Sequence, residues 1–132
     1  MQTATELLKR FFDFYDGLLV SLKVDYERNG ERTLNIVVSG REIVHEQEVW
    51  KNIELRLEGL AEYCFREPVN TSSQVLSNGI HVLQLNNLLG IDLGSLCDNP
   101  GSLSELRTSD MYAVGTSLSW IIDDFRSNES PS

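Results

Sequence analysis

The chain has 132 residues, 41% of them hydrophobic and 23% charged, and 20 acidic against 11 basic side chains give it a formal charge of −9. A chain of this length is one domain's worth and folds without needing disulfides or a structural metal. The acidic balance argues against nucleic acid and anionic membrane surfaces as partners, since both are held through clustered Lys and Arg, and after Glu67 only Arg107 and Arg126 are basic.

Taken in chain order, Leu8, Phe11, Phe12 and Tyr15 share one face at helical spacing. They predict a helix over about residues 5–15, capped by Thr3 or Thr5 and stopped by Asp16-Gly17. The period then becomes two: Leu18, Val20, Leu22, Val24 and Tyr26 point one way, and after Asn29-Gly30 the alternation resumes at Leu34, Ile36 and Val38. A β-hairpin ending at Ser39 follows from that pattern. Residues 40–49 form a charged segment containing His45-Glu46-Gln47-Glu48, followed by a strand through Ile53, Leu55 and Leu57 to Gly59, where a bulge or bend is expected.

Residues 60–67 read as a strand stopped by Pro68, and 69–79, rich in Asn, Thr and Ser, as a loop. Residues 80–85 are apolar on both sides and read as a more interior strand, with a short helix through Val82 to Leu89 as the alternative that period alone leaves open, 90–94 as a short strand between glycines, and 98–102 as a turn. Residues 104–110 suit a loop or one helical turn, and 111–122 a single closing strand. The expected fold is α+β and mainly β, with the N-terminal helix packed on an antiparallel sandwich or strongly curved sheet of about seven or eight strands. Residues 1–126 form the single expected domain and 127–132 a frayed tail. No apolar run exceeds four residues, and Met1-Gln2-Thr3-Ala4-Thr5-Glu6 lacks the features of a secretory leader, so the expected location is cytoplasmic.

His45 beside Glu46 and Glu48 is the one local cluster with metal-binding or acid-base character. Val49 and Trp50 stand where the second His of HExxH would be needed, which removes zinc-protease chemistry there. Strand alternation would put Glu46 and Glu48 on one side and His45 on the other, the arrangement of a solvated segment. His81, in an apolar run, reads as a structural histidine with a backbone partner. There is no Walker lysine, no GxGxxG spacing and no GxSxG elbow, so nucleophilic catalysis finds no support and neither cofactor nor metal is expected. Cys64 and Cys97 lie far apart in no metal-ligand spacing and read as reduced, structural residues. Phe65 and Trp120 are placed inside by alternation. Trp50, following the charged segment, stands between core edge and partner contact and forms, with Glu46 and Glu48, the candidate partner-binding set.

Phe14-Tyr15-Asp16-Gly17 leading into the first strand, the run Ile53 to Leu60 followed by Tyr63-Cys64-Phe65, and Tyr112-Ala113-Val114-Gly115 running into Ser119-Trp120 together cover about half of the chain. In these segments the chain resembles a loose group of small bacterial β-rich proteins that includes immunity proteins for polymorphic toxins. It departs from them at Tyr15-Asp16, where such proteins often carry His-Asp. The resemblance implies a non-enzymatic binder that neutralises a toxin by occlusion, and the acidic balance suits a basic protein partner. The expected function is therefore a non-enzymatic protein-interaction module, an immunity-type inhibitor, with homodimerisation through an exposed strand edge a further expectation. The alternative is a small enzyme or ligand-binding protein whose site joins His45, His81 and nearby carboxylates.

Overall fold

The computed structural model describes residues 3–123; the frayed tail expected at 127–132 lies outside them. Thr3 starts α1 (Ala4–Arg10) with a capping box: its hydroxyl accepts from the Glu6 N–H at 3.1 Å and the Glu6 carboxylate accepts from the Thr3 N–H at 2.8 Å. The helix stops at Phe11, short of the predicted end. Phe12, Asp13 and Phe14 instead form a 3₁₀ turn with φ of 55°, 57° and 60°, a left-handed conformation costing about 1–2 kcal/mol per residue. Burial offsets that cost, because the reversal drives both Phe11 and Phe14 into the core, stacked at 5.3 Å. Phe12 and Tyr15, expected on the buried face, are left 45% and 42% exposed. The rings rest on Gly40, where a Cβ would stand 2.8 Å from the Phe14 ring.

The strands that follow are β1 (Gly17–Tyr26), β2 (Arg32–Val44), β3 (Gln47–Glu58), β4 (Glu62–Phe65), β5 (Val75–Leu76), β6 (Ile80–Gln84), β7 (Leu89–Leu93), β8 (Met111–Gly115) and β9 (Ser117–Asp123). The short helix α2 (Leu103–Leu106) precedes β8. They build a strongly curled antiparallel sheet in the order β5-β1-β2-β3-β9 and a second in the order β4-β8-β7-β6.

The hairpin around Asn29-Gly30 forms as expected, with Gly30 at φ 90°. A bulge between Leu19 and Ser21 shifts the phase, so Leu19, Leu22 and Val24 pack on the core while Leu18 and Val20 face out. Residues 111–122 are two strands, not one. At Thr116 the chain leaves the second sheet for the first, held by the Thr116 N–H donating to the Glu58 carbonyl at 2.8 Å. Gly115 permits that close crossing, since a Cβ there would meet Leu57 at 2.7 Å. The 69–79 loop contributes β5, which pairs with Gly17 and Leu18. β6, expected to be interior, is an edge strand.

Leu34, Ile36, Val38, Ile53, Leu55 and Leu57 of the first sheet face Ile80, Leu89, Ile91, Leu93, Met111 and Ala113 of the second, with Leu7, Phe11 and Phe14 closing one end. Trp120 and Phe65 pack on this core partly buried. On the other face of the second sheet, Leu106 packs with Tyr112 and Val114. Covered on both sides, β7 and β8 are buried at every residue, which explains why, Asp92 apart, their sequences are apolar without a polar face.

Candidate functional site

The β2–β3 ladder runs from Thr33 opposite Glu58 to Val44 opposite Gln47, and His45 (φ 52°) and Glu46 (φ 67°) make a two-residue turn. Both are left-handed, as hairpin turns that match strand twist require. The charged segment at 40–49 is therefore the far half of one long hairpin. Pairing of β1 with β2 stops at Ser39, and that of β3 with β9 is described as far as Asp123 opposite Asn52. Among the described residues, 40–44 and 47–51 pair with each other as a two-stranded ribbon.

Alternation sorts this ribbon by face. Glu42 and Lys51 point inward, where the Glu42 carboxylate accepts from Arg10 Nε at 2.8 Å and Nη2 at 3.0 Å, and lies 2.6 Å from Lys51 Nζ. The Arg10 guanidinium, reinforced by Lys51, holds the Glu42 carboxyl down at about 2 against the opposing effect of burial. Arg41, Ile43, Glu48 and Trp50 point outward, Ile43 being 54% and Trp50 44% exposed. Arg41 donates to Glu48 at 3.2 Å, and its guanidinium lies 5.5 Å from the ring centre of Phe12.

Of the expected partner-binding set, Glu48 and Trp50 share this face; Glu46 sits in the turn beside His45, so Glu46 and Glu48 do not alternate along one strand as expected. Further along the same sheet face Ile121, opposite Glu54, is 66% exposed. The cations here are matched: Lys23 with Asp25 at 3.7 Å, Arg41 with Glu48 at 3.2 Å and Arg56 with Glu58 at 3.1 Å. Glu46 and Glu54 add negative charge beyond those pairs.

His81 lies elsewhere, on β6 directly opposite Asp92 of β7. Its partner is not the backbone but this carboxylate, which is fully buried and 2.8 Å from Nδ1. Asp92 also accepts from Ser109 Oγ at 2.6 Å and from the Ser95 and Leu96 N–H groups at 3.2 Å. Nδ1 is engaged by this carboxylate, and Nε2 is the other ring nitrogen. Nε2 has no hydrogen-bond partner among the described residues, and His81 is one of the residues lining a cleft of about 570 Å³ beside α1 and β6.

Lys9, Asp13, Tyr15, Cys97 and Asp98 also line this cleft. His45 does not: it is exposed at the ribbon turn of the other sheet, so the two imidazoles form no common site. No group of three His, Cys, Asp or Glu side chains among the described residues is placed to hold a metal. Cys97 is exposed and Cys64 half-buried.

Two clusters escaped sequence reading. Asp92 stood as a carboxylate between aliphatic neighbours in Ile91-Asp92-Leu93, a signal of a buried charge with partners. Glu62 accepts from Arg107 Nε at 3.0 Å and Nη2 at 2.8 Å and from Tyr112 Oη at 2.7 Å, clamping β4 to β8 and to the end of α2. Arg107 foremost, then Tyr112, hold the Glu62 carboxyl at about 2.

Compared with protein-family models, curated proteins and solved structures, the chain has no significant match. No helix among the described residues is long and apolar enough to cross a membrane.

Proposed function

We propose that this protein is a non-enzymatic protein-interaction module, an immunity-type inhibitor that occludes a basic protein partner with the outward face of the β2–β3 ribbon. The observation that carries the reading is the placement of Trp50 beside Ile43, Arg41 and Glu48 on an exposed strand face. Tryptophan and arginine are the side chains that most often dominate binding energy, and a large aromatic left outside the core favours a partner that covers it. Glu46 at the tip and the overall charge of −9 favour a cationic partner and a salt-dependent association rate.

Affinity capture from the native host tests this, with wild type, Trp50→Ala and the Glu46→Lys/Glu48→Lys double variant compared at low and high salt. The expected result is one basic protein held by wild type and lost with either variant. Equal capture by all three contradicts the proposal.

A further inference from the structure

β6 is one of the two edge strands of the second sheet, and the Leu85 N–H donating to the Leu88 carbonyl at 2.8 Å sets the phase of its ladder. Antiparallel alternation then turns the N–H and C=O of His81 and Leu83 toward β7, and those of Ile80, Val82 and Gln84 away from it. These outward groups have no hydrogen-bond partner among the described residues. Proteins normally pair, charge or cover such an edge. Here α1 covers it only in part: Leu7 and Leu8 lie against the Ile80 and Val82 side chains, while the cleft of about 570 Å³ runs beside Ile80, Val82 and Gln84.

The chemistry of the cleft selects what would fill it. Asp13 and Asp98 contribute two carboxylates against the single ammonium of Lys9 among the lining residues, and Tyr15 adds an aromatic wall. His81, only 7% exposed at its side chain, is held by the Asp92 contact at Nδ1. A strand edge with free donors and acceptors, bordered by acceptor side chains, suits main-chain pairing with a cationic side chain.

We propose that this cleft takes an extended segment of a basic polypeptide, which adds to β6 as a fifth strand and sets Lys or Arg side chains against the carboxylates of Asp98 and Asp13. The surface is separate from the ribbon, and the proposal stands or falls independently of Trp50.

The test uses the full chain, labelled with ¹⁵N and titrated with three acetylated, amidated pentapeptides: alternating Val and Lys, the same peptide N-methylated at alternate amides, and alternating Val and Glu. Saturable shifts at the Ile80, Val82 and Gln84 amides are expected with the Lys peptide, and affinities lower by about tenfold or more for the other two. Val82→Pro, which removes one outward N–H at an edge position that tolerates proline, should abolish the shifts. Asp98→Lys, at an exposed position, should reverse the preference to the Glu peptide, and Trp50→Ala should change nothing. Equal binding of the N-methylated peptide, equal binding of the Glu peptide, absence of saturable shifts, competition by spermidine at equal concentration, or loss of binding in Trp50→Ala alone would each overturn the proposal.

Discussion

Arg10 grips Glu42 with two nitrogens, at 2.8 and 3.0 Å, and so ties the last turn of α1 to the inner face of the ribbon. The helix ends where this contact forms, and the left-handed turn that follows sets the Phe12 ring 5.5 Å from the guanidinium of Arg41, the neighbour of Glu42 on the strand. Two neighbouring ribbon residues, Glu42 and Arg41, are thus held by one short stretch of chain, the first through an ion pair and the second through a cation–aromatic contact.

Acid stability should report the inner anchor. The Glu42 carboxyl titrates at about 2 in the folded protein against 4.5 when unfolded. A lowered folded value means stability that is fully present above pH 4.5 and is lost as pH falls through about 2. The difference corresponds to about 3 kcal/mol at most. Urea titrations from pH 6 to pH 2 should show Glu42→Gln less stable than wild type at neutral pH and the gap closing on acidification. A gap independent of pH would deny the Arg10–Glu42 contact this role.

Asp92 should be among the least tolerant positions. Replacement by Ala removes the acceptor for His81 Nδ1, Ser109 Oγ and two backbone N–H groups at a site with no exposure. The expected loss is about 3 kcal/mol or more, read as a lowered denaturation midpoint, with Asp92→Asn milder because it keeps one acceptor oxygen. A loss below about 1 kcal/mol for the Ala variant would mean the buried network is replaceable.

Gly40→Ala should cost about 1–3 kcal/mol, since the new methyl would meet the Phe14 ring at 2.8 Å and Phe11 at 3.4 Å. Differential scanning calorimetry would register a lower Tm. An unchanged Tm would show that the left-handed Phe12–Phe14 turn gives way without loss.

How far the sequence revealed this arrangement depends on the distance over which each feature is decided. The first hairpin was legible because alternation and Asn29-Gly30 lie within a few residues of one another. The second turn was hidden because His45 and Glu46, neither of them Gly or Asn, take left-handed φ under the constraint of the long ladder. The end of α1 was misplaced for a related reason: Phe11 and Phe14 both reach the core only if the helix reverses, and local spacing does not contain that choice. Trp50 was legible as a residue on the border of core and surface. The His81–Asp92 pair was not, because it exists only once β6 and β7 are in register, eleven residues apart. The break at Thr116 is likewise decided by which sheet each half of 111–122 joins.

Binding through the outward ribbon face is read from the Kd of purified wild type and Trp50→Ala for the protein captured by wild type. Trp50 is exposed and outside the core, so its replacement should leave unfolding free energy within about 0.5 kcal/mol of wild type. The account expects that unchanged stability together with a Kd weaker by about tenfold or more. An unchanged Kd with a correctly folded Trp50→Ala protein would contradict it.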